Sequence, residues 1–312
     1  GVEADKEQAL YWYKKAAEKG LAIAQYFCGG MYCRGEGLDR PYAITGLYWY
    51  EKAAEQGMLG ISMTNASPRI AEVPSGMLNS IGLQNPGVEH LKACELPWLA
   101  EVGATTIVNV SGHSFDEYVQ VIEALEAAPV DAYEVNISCP NVDAGGMTIG
   151  THVESVEKVI GMCRKATRRP LIVKLTPNVT DIAEIARAAE SAGADAISLI
   201  NTLMGMAIDA DRRCTLTSRP FAGFSGPAIK PVALRCVWQC HNAVKVPLLG
   251  MGGISNGTDA VEFMLAGATA VAVGTANFVN PQATIDVIDG IAEYCERHGV
   301  DDVNELIGAL QC

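Results

Sequence analysis

Asn109, Asn136, Cys139, Lys174, Asn201 and Thr202 all stand where a short apolar run of this sequence is ending. Asn109 lies in TTIVNV (105–110), and Asn136 lies in AYEVNI (132–137) with Cys139 just beyond it. Lys174 interrupts LIVKL (171–175), and Asn201 with Thr202 follows AISLI (196–200). Two later runs end on glycine: PLLGMGG (247–253) on Gly252 and Gly253, and AVAVGT (270–275) on Gly274 with Thr275. Each group carries a definite chemistry. A carboxamide offers a donor and an acceptor side by side. An ammonium inside an apolar run is costly unless it meets an anion, so Lys174 is expected to face a bound group or a structural partner, Glu134 on the neighbouring run. A thiol in a turn set by Pro140 acts as nucleophile or proton acceptor when its surroundings bring its pKa toward the working pH, and is otherwise an inert buried side chain. The glycines leave bare backbone N–H groups for an anion, or simply make tight turns.

The elements that must position these groups follow from periodicity. Each of the six apolar runs precedes a helical pattern, at 115–126, 153–167, 181–192, 229–243, 258–266 and 283–297. Continuous β-branched strands alternating with helices imply parallel strands buried on both faces, a (β/α) barrel architecture. Reactive groups of such barrels lie at the C-terminal ends of the strands, where the amides, the lysine and the glycines fall. The last two βα loops commonly hold a phosphate, which fits the two glycine-bearing ends and suggests a mononucleotide-type cofactor or a phosphorylated substrate. A closed barrel needs eight strands. Either two more hide in 58–100, with MLGISM (58–63) as one candidate, or the barrel is incomplete.

The start of the chain is different. YWYKKAAEKG begins at Tyr11 and YWYEKAAEQG at Tyr48, with aromatics and alanines at helical spacing between them. This is the pattern of paired antiparallel helices, small alanines allowing close approach and Trp12 and Trp49 filling the adjoining grooves. The segment resembles SEL-like repeats of the tetratricopeptide type. The expected division is a helical repeat segment over 1–57 and a barrel over 58–312. Fewer than the roughly three repeats a solenoid needs are present, so the segment is expected to lean on the rest of the chain.

Composition narrows the partners. Thirty-six acidic against 23 basic residues give a net charge of -13, which repels polyanions and argues against nucleic acid or an anionic membrane. No basic region precedes an apolar stretch at the start, and the longest apolar run (265–276) is too short for a bilayer, so a cytoplasmic location is expected. The ten cysteines show no metal-ligand spacing and read as reduced thiols used as small hydrophobes, with no metal expected.

NISCPNV, VKLTPNVTDI, SLINTLMGM, GFSGPAIKPVAL, GMGGISNGTDAVEFMLAGA and AVAVGTANF, with PRIAEVPSGMLNSIGLQNPG (68–87), give the chain from about residue 65 a resemblance to the dihydroorotate dehydrogenase family, catalytic subunits of class 1B. The resemblance implies a (β/α)8 barrel binding FMN in its mouth through Asn109, Asn136, Lys174, Ile200, Gly226, Gly252, Gly253, Gly274 and Thr275. It implies that dihydroorotate is held by Asn79, Ser80, Ile81, Gly82 and Leu83 together with Asn136, Asn201 and Thr202. By the same resemblance Cys139 would take the general-base position, removing a proton from C5 while C6 delivers hydride to flavin N5, and Lys174 would lie by the flavin N1/O2 edge. FAD and an iron–sulfur cluster would belong to a separate electron-transfer subunit, with a homodimer or heterotetramer as the assembly. The family's first two strands, one ending in a lysine, are not recognisable here, so the barrel is expected to lack its first one or two strands. Two other readings stand beside this one: a non-catalytic interaction protein using Tyr11, Trp12, Tyr48 and Trp49, and a related flavin barrel reducing pyrimidine bases.

Overall fold

The computed structural model describes residues 6–19, 24–25, 28, 31–32, 38, 68–83, 85–112, 114–138 and 149–311. Two compact units are present, Gly1–Ser67 and Pro68–Cys312, and each is taken by itself. In the first, the helix Lys6–Glu18 buries Leu10 and Ala17, which join Ala24, Cys28 and Met31 in a small core. Alanine lies at the contact, as the repeat pattern requires. Trp12 does not: it is 60% exposed and stacks edge-to-face on Tyr11 at 5.2 Å, with the Lys15 ammonium over the Tyr11 ring. The second repeat copy, including Tyr48 and Trp49, and the MLGISM run lie outside the described residues.

The second unit begins with a hairpin, β1 (Ile70–Val73) and β2 (Gly76–Asn79), paired antiparallel. A helix follows that is α-helical at Val88–His90, π-helical at Leu91–Glu95 and α-helical again at Leu96–Glu101. Then come β3 (Ile107–Val110), β4 (Ala132–Asn136), β5 (Leu171–Lys174), β6 (Ala196–Leu199), β11 (Leu248–Met251) and β12 (Ala270–Ala272). These form one six-stranded sheet in sequential order, every pair parallel. The six expected strands are all present, and the six expected helices end within two residues of the anticipated bounds. Helices Phe115–Leu125, Ile182–Ser191 and Gly257–Leu265 start on Ser114, Asp181 and Asn256, whose side chains accept from otherwise unpaired backbone N–H groups.

Strand alternation sorts the sheet into two chemically different faces. Val108, Val110, Tyr133, Val135, Leu171, Val173, Ile197 and Leu199 point one way into the main core against the helices, all buried. The register pairs Asn109 with Glu134, Asn136 with Lys174, and Lys174 with Ser198, so these residues share the opposite face. The runs look continuously apolar because their inward members are polar only near the C-terminal ends.

One layer was not foreshadowed. Between β6 and β11 the chain inserts β7 (Leu203–Gly205), the short pair β8 (Ile208–Asp209) and β9 (Cys214–Thr215), and β10 (Ala222–Ser225). β10 pairs antiparallel with both β2 and β7, giving a four-stranded sheet of order β1-β2-β10-β7. The two strands in 68–100 therefore belong to this separate sheet and do not extend the parallel one. Among the described residues no strand pairs with the outer edges of β3 and β12, and the parallel sheet is a half-barrel of the (β/α)8 type.

Candidate active site

At the C-terminal end of the half-barrel a single carboxylate organises its neighbours. Glu134, 9% exposed, accepts from Ser198 Oγ at 2.6 Å on one oxygen and from Asn109 Nδ2 at 2.5 Å on the other, which also stands 3.7 Å from Lys174 Nζ. The Lys174 ammonium thus meets the anion its apolar setting demands, while keeping 19% of its side chain open. Asn136 donates to Asn109 Oδ1 at 3.5 Å, its own Oδ1 accepts from Ser138 N at 3.1 Å, and its backbone carbonyl accepts from Tyr118 Oη at 2.9 Å. Ser138 Oγ donates to the Lys174 carbonyl at 2.9 Å, tying the ends of β4 and β5 together. Asn109, Asn136 and Lys174, expected at the mouth from sequence, are in one connected network. Cys139 follows directly on Ser138 and lies outside the described residues.

A second set gathers at β2, β10 and the loop after β6. Asn79 Nδ2 donates to the Gly223 carbonyl at 3.3 Å, and a Cβ on Gly223 would come within 2.5 Å of Thr202 Oγ1 and 3.2 Å of Asn79 Nδ2. Asn79 and Thr202 are thus brought together around a glycine that must stay bare. Ser80 continues from β2, its backbone N–H donating to Arg69 O at 2.7 Å. Gly82 and Leu83 line a cleft of about 470 Å³ with Val88, Leu91, Val108 and Asn109. The 79–83 segment therefore runs from the Thr202 side toward Asn109. Asn201 N donates to the Leu175 carbonyl at 3.0 Å, and Ile200 N to the Met251 carbonyl at 2.9 Å, holding the post-β6 loop between β5 and β11. Asn178 clamps the same loop, donating to Thr202 O at 3.1 Å and accepting from Met204 N at 2.9 Å. Asn178, like Ser198, was not singled out from sequence, whereas Glu134 was expected as the structural partner of Lys174 and stands there. The only available signal was an amide in the LTPNV turn after β5.

The glycine ends form the third set. Gly252 and Gly253 sit after β11 at φ 125° and 86°. Ideal Cβ atoms there would meet Ile200 Cγ1 at 3.1 Å and the Gly226 carbonyl at 2.9 Å, and at these positive φ values any side chain would be strained, so Ile200, Gly226 and the glycine pair are packed together. Gly274, on the neighbouring strand end, precedes Thr275 and the helix Ala276–Val279 and has nothing within 4 Å of where a Cβ would lie. Beneath this region Lys230 Nζ reaches Asp259 Oδ1 at 2.6 Å and Glu262 Oε2 at 2.7 Å, while Asp259 Oδ2 accepts from Ser255 N at 2.9 Å. Its bonds to Asp259 and then Glu262 raise the Lys230 pKa above the usual lysine value. The triad fixes the Gly253–Asn256 turn to two helices.

These residues fit an FMN. Bare N–H groups with open space at Gly274 suit a phosphate, and an ammonium and amides at the mouth suit a heteroaromatic ring with carbonyl edges. Among the described residues no group of three or more His, Cys, Asp or Glu side chains could hold a metal ion. Burial pushes the thiols of Cys163 and Cys240 up to about 12, which makes them packing groups. No helix of the described residues is long and apolar enough to cross a membrane.

Comparison with known proteins agrees with this reading. Residues 26–295 match the family profile described as dihydroorotate dehydrogenase, and residues 1–21 match the Sel1 repeat. The protein named dihydroorotate dehydrogenase B (NAD(+)), catalytic subunit, from Alkaliphilus metalliredigens is 57% identical over 246 residues, 79% of this chain and 82% of that protein. The protein of the same name from Bacteroides fragilis is 55% identical over 248 residues, again 79% and 82% of the two chains. In fold, the crystal structure of the dihydroorotate dehydrogenase of Eimeria tenella with ferulenol superposes with a TM-score of 0.67 at 21% identity, covering 78% of this chain and 74% of that one.

Proposed function

Over residues 26–295 this chain belongs to the dihydroorotate dehydrogenase family, and on that premise we propose that it oxidises dihydroorotate to orotate at the C-terminal mouth of the half-barrel. The observation that carries the proposal is the network of Asn109, Glu134, Asn136, Lys174 and Ser198 on one face of four adjacent parallel strands. A packed barrel interior does not call for such a set; a site that must bind a polar ring and balance a developing charge does.

Bound FMN would supply the hydride acceptor. Its phosphate would be held by backbone N–H groups at Gly226, Gly252, Gly253, Gly274 and Thr275, with Ile200 against the ring. Lys174 would place its ammonium where negative charge develops on the reduced ring, which lowers the barrier only if the charge is already in position. Asn109 and Asn136 would give the ring system directional amide partners. Dihydroorotate would be held by Asn79, Ser80, Ile81, Gly82 and Leu83 from one side and by Asn136, Asn201 and Thr202 from the other. Its imide and amide edges match carboxamides that donate and accept side by side. Cys139, which follows Ser138 in sequence, would take the C5 proton as hydride leaves C6. A thiolate of intermediate pKa suits this task because neither the proton's removal nor its later release is then prohibitively uphill.

The relatives' name as a catalytic subunit of an NAD-linked enzyme supports a separate electron-transfer subunit, which we place as an iron–sulfur flavoprotein carrying FAD, in a homodimer or heterotetramer in the cytoplasm. We likewise treat 1–57 as a helical repeat module distinct from the 58–312 enzyme portion. Orotate formation with an artificial electron acceptor tests the assignment. Cys139→Ser is expected to cut turnover by about 10²–10⁴-fold, the usual worth of a positioned base, while leaving bound flavin unchanged. Full turnover in that variant would remove Cys139 from the mechanism.

A further inference from the structure

The geometry points to Glu134 as the positioning residue that both aims the Lys174 ammonium and tempers its charge at the mouth. Neither the proposed FMN contacts nor the proposed substrate contacts use this carboxylate, and it is among the few charged groups in the core. The inference rests on the FMN reading above and extends it to a residue that touches neither ligand.

Three strands converge on this one side chain of β4. Ser198 of β6 donates to Oε1 at 2.6 Å, Asn109 of β3 donates to Oε2 at 2.5 Å, and Lys174 of β5 stands 3.7 Å from Oε2. Ser198 is fully buried and gives its hydroxyl to this carboxylate. A buried carboxylate is tolerated only when its lone pairs are met, and here every partner belongs to the mouth. The 3.7 Å separation is an ion pair with no tight hydrogen bond, so the Lys174 donors remain free to turn toward a ligand. The pair is close to neutral in sum. An isolated ammonium at that place would hold a reduced, negatively charged ring more strongly, so the carboxylate should keep the cofactor's potential down. It also fixes the direction from which the ammonium approaches.

Glu134→Gln separates charge from shape. The amide oxygen can still accept from Asn109, and the Ser198 hydroxyl can reverse its role and accept from the new NH₂. In flavin-free protein, acetylation by acetic anhydride read by mass spectrometry is expected to label Lys174 at least fivefold faster in this variant than in the parent, relative to Lys158. Losing the carboxylate removes the partner that holds the Lys174 side chain beside β4, so the amine is more often free to meet the reagent. In FMN-loaded protein the oxidised-to-reduced equilibrium is expected to shift tenfold toward reduced flavin, about 30 mV for a two-electron couple, with FMN affinity within threefold of the parent. Ser198→Ala removes a hydrogen bond to the same carboxylate but keeps the charge, and should move neither readout; a purely structural Glu134 would make the two variants alike. Glu134→Asp, which retains a carboxylate, is expected to keep Lys174 labelling slow and stands in if the glutamine variant does not fold. Unchanged Lys174 labelling in Glu134→Gln, fast labelling in Glu134→Asp, or a potential that stays or falls would overturn the inference. Parent protein that binds no FMN would count against the cofactor reading instead, leaving the flavin-free labelling to decide on Glu134.

Discussion

Lys174 shows how much one residue can state by itself. An ammonium in IVKLTP announces that it needs an anion, because burying an unpaired charge is costlier than any local packing gain. The structure supplies Glu134 at 3.7 Å and leaves the ammonium partly open. Lys174→Met is expected to weaken FMN binding about tenfold to a hundredfold, the loss of one charge-assisted hydrogen bond of roughly 1.5–3 kcal/mol. Quenching of flavin fluorescence in a titration reads this directly, and unchanged affinity would mean the ammonium serves Glu134 alone. The partner was also legible, as the structural alternative on the neighbouring run. Ser198 was not: it lies 64 residues from Glu134 in sequence and sits in AISLI, where a serine looks like a weak member of an apolar strand. Inward polar groups are hidden by strand alternation whenever a single turn of the pattern is read.

At the scale of elements, the parallel strands were readable because each is a β-branched run followed by a helix with its own period. The antiparallel layer was not. β7, β8, β9 and β10 are two to four residues long, too short to display alternation, and the pairing of β10 with β2 joins segments more than a hundred residues apart. The linkage between helices Lys230–His241 and Gly257–Leu265 joins residues 29 apart in sequence. Lys230→Met is expected to cost about 2 kcal/mol of stability by leaving Asp259, only 11% exposed, with the Ser255 N–H as its remaining partner. Glu262, 40% exposed, contributes less because water screens it. The pH dependence has a fixed sign. Lys230 is raised above its unfolded value of 10.5 by its bonds to Asp259 and Glu262, so its contribution is complete below 10.5 and is lost as pH climbs through the raised value. Urea unfolding of parent and variant should show a constant difference from neutral pH up to 9 or so and a shrinking one above 10.5. A difference that did not shrink in that alkaline range would assign the effect to other groups.

For the whole molecule, the half-barrel leaves two strands with unpaired outer edges among the described residues. Ile107 on β3 is 49% exposed, and beyond β12 Phe278 and Val279 are 75% and 87% exposed. Open edges with apolar side chains favour association between chains. Ile107→Lys is expected to lower concentration-dependent association in light scattering while leaving the fold intact; no change would show that this edge is already covered. The sequence made the gap visible only by comparison with a family that opens with two more strands, since nothing in 68–100 says locally that its strands will pair antiparallel. The family assignment, by contrast, was carried by long ordered motifs at the strand ends, which is where the amide, ammonium and glycine groups now stand in space.

The central claim is that this half-barrel still assembles a working flavin site. Anaerobic addition of dihydroorotate to purified protein reconstituted with FMN is its most direct test. The account predicts one FMN per chain and loss of the oxidised flavin absorbance as orotate forms. Protein that takes up no FMN, or whose bound flavin stays oxidised in the presence of dihydroorotate, would contradict it.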